Sequence, residues 1–97
     1  MAILLHPTRA THDILPAGIR RGDRMYHVLS DIIGPDGSRE LRDAAQRCGL
    51  RLAWIQYPGT YREHFDTHGR AVECFLAHGA RLVTNHEIGA LLRAKRG

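Results

Sequence analysis

The densest group of chemically active side chains in this sequence lies between Gln56 and Asp66. His64 and Asp66 are two residues apart, so on an extended chain their side chains point to the same side. That spacing suits a general acid–base pair in which the carboxylate orients the imidazole, and it also suits two ligands of one metal ion. A structural alternative is that Asp66 caps the helix that follows, while His64 only hydrogen-bonds to it.

A second polar group follows a predicted strand earlier in the chain. His27 and Asp31 share parity along that strand, and Ser30 immediately precedes Asp31. In open α/β sheets, ligands bind beyond the carboxyl ends of the strands. We therefore expect this group to lie near His64 and Asp66, and the predicted catalytic residues are His64, Asp66, His27 and Asp31.

Residues expected to contact a ligand surround these groups. Tyr57 and Tyr61 can stack on a ring or close the edge of the core. Arg70 lies in the first turn of a predicted helix, where backbone N–H groups favour an anion that a guanidinium can clamp, although an exposed surface arginine is an equal alternative. The predicted ligand-binding residues are Ser30, Tyr57, Tyr61, Arg62 and Arg70.

Histidine is abundant, with seven residues in the chain. Four of them have no predicted partner: His6, His12, His78 and His86. The seven are thus not expected to form one metal cluster, and we predict neither a bound metal nor a cofactor. A metal-dependent hydrolase using His27, His64 and Asp66 is the alternative. Motifs of P-loop, Rossmann and zinc-finger proteins do not occur in the sequence.

Length and charge limit the class of protein. Ninety-seven residues with 14 basic and 10 acidic side chains indicate one domain, 1–97, with a net charge of +4 that favours anionic partners. A small anionic molecule is the expected partner, nucleic acid is a further candidate, and a homodimer is compatible with this size. No apolar run is long enough for a membrane span. Cys48 and Cys74 lack C-x-x-C spacing, so we expect two buried thiols and a cytoplasmic protein.

Hydrophobic patterning predicts strands at residues 3–5, 25–29, 50–55 and 81–83. Helices are predicted from Ser38 as N-cap to Gly49, over about 67–78, and after Thr84, which forms a capping box with Glu87. Residues 7–23 are predicted as a surface loop and residues 93–97 as a basic C-terminal tail.

The order of these elements predicts an α/β fold. Strands that alternate with helices of about 11 residues are typical of parallel sheets with right-handed crossovers. The predicted architecture is a small single-layer, mostly parallel sheet of about four strands with about three helices, in the order β-β-α-β-α-β-α.

Several short motifs resemble a small bacterial and phage family, domain of unknown function 4031. They are Ile3-Leu4-Leu5-His6-Pro7, Tyr26-His27-Val28-Leu29-Ser30-Asp31, Arg47-Cys48-Gly49-Leu50, His64-Phe65-Asp66 and Gly79-Ala80-Arg81-Leu82-Val83-Thr84. The resemblance covers roughly residues 3–93. It implies an α/β domain with five signature polar residues: His27, Ser30, Asp31, His64 and Asp66. The family's first strand commonly ends in an acidic residue, where this chain has His6.

The leading functional hypothesis is a domain that binds a phosphorylated or nucleotide-like small molecule. Whether the protein is an enzyme stays open; if it is, His64 is the general acid–base group of a hydrolase or group transferase, with Asp66 orienting it. The alternatives are a nucleic-acid-binding accessory protein, the metal-dependent hydrolase, and an interaction module without chemistry.

Overall fold

The computed structural model describes residues 2–9 and 19–97, which form four strands and three helices. In chain order these are β1 (Ile3–Arg9), β2 (Arg24–Ser30), α1 (Pro35–Arg47), β3 (Phe65–Thr67), α2 (Arg70–Ala77), β4 (Arg81–Leu82) and α3 (Asn85–Arg96). A short 3-10 helix (Leu52–Trp54) lies between α1 and β3. The predicted α/β class with about four strands and three helices is confirmed.

The sheet is mixed and mostly antiparallel, so the prediction of a mostly parallel sheet is wrong. Its strand order is β3-β2-β1-β4. β2 runs antiparallel to both β1 and β3, and β4 runs parallel to β1. No described helix separates β1 from β2, and antiparallel neighbours need no helical crossover.

The predicted third strand, Leu50–Ile55, is also wrong. Within this run, the Trp54 and Ile55 N–H groups donate to carbonyls three residues earlier, which is the 3-10 pattern. Leu52 is exposed, and Trp54 packs half-buried against the core instead of lying in a central strand. A short apolar run does not distinguish these alternatives by periodicity alone. The third strand is β3, inside the polar segment.

Both faces of the sheet carry apolar clusters, because alternate residues of a strand point to opposite faces. One face packs against α1 and α2 through Leu5, Val28, Phe65, Leu41, Ala44, Ala45, Val72 and Phe75. On the other face, Leu4, Leu29 and Val83 pack against α3. His27 has the parity of Leu29 and therefore lies on the α3 face.

Two helices begin at residues other than those predicted. α1 begins at Pro35, whose fixed φ suits the first helical turn, and the Ser38 hydroxyl donates to a Glu63 carboxylate oxygen at 3.0 Å instead of capping the helix. α2 begins at Arg70, and its N-cap residue Gly69 has no side-chain cap. Asp66 lies in β3, so the alternative in which it caps this helix is wrong.

The capping box of α3 is confirmed. The Glu87 N–H donates to the Thr84 hydroxyl oxygen at 3.1 Å, and the Thr84 N–H donates to a Glu87 carboxylate oxygen at 3.3 Å. Residues 93–96 continue α3 and do not form a separate tail. β1 extends to Arg9, so residues 7–9 are strand and not loop, whereas residues 10–18 of that predicted loop, with His12, lie outside the described residues.

Cys48 and Cys74 are joined by a disulfide, so the prediction of two buried thiols is wrong. The bond links the C-terminal end of α1 to α2. The cytoplasmic location was predicted from reduced cysteines, and the disulfide removes that ground. Of the helices in the described chain, none combines the length and apolarity needed to cross a membrane.

Candidate metal centre

Cross-strand pairing places a row of polar side chains on the α3 face of the sheet. His6 of β1 lies opposite His27 of β2, and His27 lies opposite Asp66 of β3. Residues directly opposite each other share a face of the sheet. The imidazole of His64 completes the group, since its ring centroid is 4.6 Å from that of His27.

One carboxylate oxygen of Asp66 lies between two imidazoles. Its Oδ1 atom is 3.6 Å from Nε2 of His27 and 3.5 Å from Nε2 of His64. Both distances exceed the usual range of about 2.7–3.2 Å for a hydrogen bond. Asp66 is buried, and within residues 2–9 and 19–97 its Oδ1 atom has no hydrogen-bond partner. Burial without a partner is costly for a charged oxygen, so this atom is suited to accept a ligand.

The second polar atom of Asp66 and that of His64 each contact a neighbouring residue. The Gln56 side-chain amide donates to Oδ2 of Asp66, which turns Oδ1 toward the imidazoles. Nδ1 of His64 lies 2.7 Å from the Arg62 carbonyl oxygen, which only accepts hydrogen bonds. A proton on Nδ1 satisfies this carbonyl, and Nε2 is the ring nitrogen that faces Asp66.

The loop before β3 is fixed at its two ends. Backbone hydrogen bonds of 2.9 and 3.1 Å pair Gln56 with His64. Glu63 is buried and accepts hydrogen bonds from the Gly59 N–H at 2.7 Å and the Ser38 hydroxyl at 3.0 Å, with an Arg42 guanidinium nitrogen at 3.8 Å. These contacts anchor the loop to α1 and so fix where His64 lies.

A cation and an aromatic ring flank the imidazole of His64. The Tyr57 ring centroid is 6.0 Å from that of His64, and the Arg62 guanidinium carbon is 4.3 Å from the Tyr57 centroid. Tyr57 and Arg62 are both exposed. The cation–π contact thus holds a positive charge at the solvent side of the site.

Burial and neighbouring charges set the protonation of the centre. Burial, reinforced by the proximity of His64, lowers the pKa of His27 to about 4, although Asp66 opposes this shift. Burial alone would raise the pKa of Asp66, but the contacts with His64 and Gln56 and the nearby His27 hold it below its usual value. At neutral pH the centre therefore contains a carboxylate and a neutral His27, which are the forms that bind metal ions.

Four of the predicted site residues lie elsewhere in the fold: Ser30, Asp31, Tyr61 and Arg70. The Ser30 hydroxyl donates to Glu40 at 3.0 Å, and the Asp31 carboxylate accepts from the Ala2 N–H at 2.8 Å. Tyr61 and Ser30 line a separate cavity of about 240 Å³ beside the start of α1. The exposed Arg70 begins α2, which packs on the other face of the sheet.

The antiparallel sheet explains this division. The prediction assumed that parallel strands bring their carboxyl ends to one edge. In the structure, His27 and Asp66 meet through the register of two antiparallel strands, while Ser30 and Asp31 lie at the far end of β2.

His6 and Gln56 lie at this centre and were not among the predicted site residues. His6 contacts the side-chain oxygen of Asn85 through Nε2, and its buried Nδ1 atom has no hydrogen-bond partner in the described part of the chain. The predicted strand ended at Leu5. Had it included His6, the alternation of side chains would have placed His6 on the same face as Leu4, which is also the face of His27. Gln56 carries no sequence signal that separates it from a loop residue.

Comparison with known proteins identifies the family of the chain. The model of the family described as "Protein of unknown function (DUF4031)" matches residues 15–95. No curated protein and no solved structure matches the chain. The matched region contains His27, His64 and Asp66, and it covers most of the 97 residues. The chain therefore belongs to the family of proteins of unknown function DUF4031.

Proposed function

We propose that His27, His64 and Asp66 bind one divalent transition-metal ion of the zinc type and that the centre is hydrolytic. The observation that carries this proposal is the buried, unpartnered Oδ1 atom of Asp66, which faces two imidazole Nε2 atoms at 3.5 and 3.6 Å. Ligands at about 2.0–2.1 Å from a tetrahedral zinc ion lie about 3.4 Å apart. The spacing of these atoms thus matches ligands of a shared ion better than hydrogen-bonded partners.

The surrounding contacts support the same assignment. Metal-binding histidines commonly donate their second ring nitrogen to a carbonyl or carboxylate, which fixes the tautomer and the ring orientation. The Arg62 carbonyl has this role for His64, and Gln56 has the equivalent role for Asp66. Both contacts leave the atoms that face the shared space as the metal ligands.

Three protein ligands are typical of catalytic zinc centres, which keep a further position for water or substrate. When bound, the metal supplies a water of lowered pKa and a Lewis acid at this position. The protein supplies the carboxylate, the two oriented imidazoles and the flanking Arg62.

A metal-free acid–base pair is less well supported. In such a pair one ring nitrogen of His64 faces Asp66 and the other exchanges a proton with the substrate. Here Nε2 faces Asp66, and Nδ1 is occupied by the Arg62 carbonyl. Neither nitrogen is free for a substrate, so His64 suits a metal ligand better than a general base.

The proposed substrate is a small molecule with a phosphate or another anionic group. Arg62 stacks on Tyr57 beside His64, and no carboxylate of the described residues forms an ion pair with it. A guanidinium held in this way is suited to a phosphate oxygen, which it contacts bidentately. The net charge of +4 also favours an anionic substrate.

Metal titration tests the centre. We expect the metal-free protein to bind one Zn²⁺ per chain in calorimetry with the disulfide intact, and His64→Ala and Asp66→Asn to lose this binding. The exposed residues His86 and Asp43 provide the matched controls His86→Ala and Asp43→Asn, which should bind as the unaltered protein does. A wild-type protein without stoichiometric zinc, or an Asp66→Asn variant that binds equally well, would contradict the proposal.

Phosphate binding tests the substrate class. Inorganic phosphate should bind to the zinc-loaded protein, and Arg62→Gln should weaken this binding about tenfold, as expected for the loss of a charged hydrogen bond. Arg51→Gln, at another exposed arginine, should leave it unchanged. Equal phosphate affinity in both variants would show that Arg62 does not bind the anion, even where zinc binding is intact.

A further inference from the structure

The disulfide between α1 and α2 has a third potential metal ligand beside it. Cys48 and Cys74 are half-buried, and their Cα atoms are 5.6 Å apart. His78 follows Cys74 by one helical turn and is exposed. The two Sγ atoms and one ring nitrogen of His78 all lie within 4.8 Å of one another. No other cysteine occurs in the chain.

The imidazole of His78 already faces the sulfur of Cys74. Its Nδ1 atom is 3.7 Å from that Sγ atom and 2.9 Å from the Cys74 carbonyl oxygen. In tetrahedral zinc sites a sulfur and a nitrogen ligand are about 3.6 Å apart. The His78 nitrogen is thus at ligand distance from Cys74, and it becomes available to a metal when the disulfide is reduced and its proton moves to Nε2.

We propose that the reduced protein binds a thiophilic divalent cation, Zn²⁺ or a metal of similar chemistry, through Cys48, Cys74 and His78. The two cysteines then have two alternative states, a disulfide and a metal thiolate. Both states connect α1 to α2. The site shares no residue with the His27 centre, so this inference does not depend on the function proposed above.

The conversion between the two states is a balanced two-electron step. A dithiol breaks the S–S bond between Cys48 and Cys74, transfers two electrons and two protons to the sulfurs, and is itself oxidised to a disulfide. The cation then displaces both thiol protons, because thiolates are the metal-binding form of cysteine. The Nδ1 proton of His78 passes to Nε2 through water, which leaves the Nδ1 lone pair for the metal.

Cobalt titration tests the site, since Co²⁺ bound to thiolates gives a charge-transfer absorption in the near ultraviolet. Protein reduced with a phosphine should develop this band by two equivalents of Co²⁺, one for each proposed site, and Zn²⁺ should abolish it. Oxidised protein should not show it, even with Co²⁺ at the His27 centre, because that centre contains no sulfur.

Two variants assign the ligands. Cys48→Ser/Cys74→Ser should lose the band completely. His78→Gln keeps both thiols and should weaken Co²⁺ binding about tenfold or more, whereas His86→Gln, at another exposed histidine, should not. Reduced wild-type protein without the band would overturn the proposal. So would a His78→Gln variant that binds Co²⁺ as tightly as wild type, because His78 would then not be a ligand.

Discussion

At the scale of single residues, the proposed centre depends on how each ligand is oriented. Asp66 has two oxygens in different environments, one bonded to Gln56 and the other facing His27 and His64. Without the Gln56 contact, the carboxylate is free to rotate about its last bond and to turn Oδ1 away. Mutation of a residue that orients a metal ligand typically lowers metal affinity 10–100-fold.

We therefore expect Gln56→Ala to lower zinc affinity about 10–100-fold without removing the stoichiometric site. Calorimetric titration of the metal-free protein measures this directly. Gln46→Ala, at an exposed position on α1, is the matched control and should have wild-type affinity. Unchanged affinity in Gln56→Ala would mean that the amide does not orient Asp66.

The depressed pKa of His27 predicts how the stability of the metal-free protein depends on pH. The folded-state pKa of about 4 lies below the ordinary value of 6.5, so between these values the unfolded chain binds more protons. The contribution of neutral His27 to the free energy of unfolding is therefore complete above pH 6.5, and it is lost as the pH falls toward 4. The lowered pKa of Asp66 extends the loss below pH 3.8.

Urea unfolding at several pH values, in the presence of a chelator, checks this expectation. The free energy of unfolding should fall more steeply between pH 6.5 and 4 in the wild-type protein than in His27→Ala. Parallel curves for the two proteins over this interval would show that His27 is not the titrating group.

At the scale of elements, the register of the β1–β2–β3 sheet and the loop before β3 assemble the centre. Antiparallel pairing aligns His6, His27 and Asp66 across three strands. His64 lies at the end of the loop before β3, and Glu63 attaches that loop to α1. Glu63 is a buried acid whose carboxylate anchors the loop.

Glu63→Ala should destabilise the metal-free protein by about 1–3 kcal/mol, because the Ser38 hydroxyl and the Gly59 N–H lose their acceptor. The position of His64 should also become less fixed, so zinc should bind more weakly. Urea unfolding and zinc titration measure the two effects. Glu73→Ala, at an exposed position on α2, is the control. Equal unfolding midpoints for the two variants would contradict the anchoring role.

The same element scale shows what the sequence could predict. The helical pattern of Leu41, Ala44 and Ala45 predicted α1, and the Thr84 capping box predicted the start of α3, since both depend on neighbours within a few residues. His64 and Asp66 were predicted from local spacing. The pairing of His27 with Asp66 and the role of His6 depend on antiparallel register, which is a long-range property of the sheet.

The strand β3 shows most clearly where prediction from local sequence fails. Phe65–Thr67 is three residues long and lies within a polar segment, whereas the apolar run before it forms a 3-10 helix. Pairing with β2 stabilises β3 more than its own composition does. The strand predicted at residues 50–55 was therefore wrong, and β3 was not predicted, whereas the choice of His64 and Asp66 as site residues stays a prediction.

At the scale of the whole molecule, the sheet separates the two proposed metal sites, which differ in chemistry. α1 and α2 cover one face and carry the disulfide with His78, while the other face carries the His27 centre beside α3. The oxygen and nitrogen ligands of the His27 centre suit zinc and similar borderline ions. The sulfur ligands on the helical face require reduction first, so metal binding at the two sites can be measured separately.

The anomalous diffraction signal of zinc in crystals of the zinc-loaded, oxidised protein tests the central claim most directly. We expect one strong peak at about 2.0–2.2 Å from Nε2 of His27, Nε2 of His64 and Oδ1 of Asp66. A zinc peak coordinated by other residues would contradict the central claim. So would zinc-loaded crystals without a peak between these three side chains.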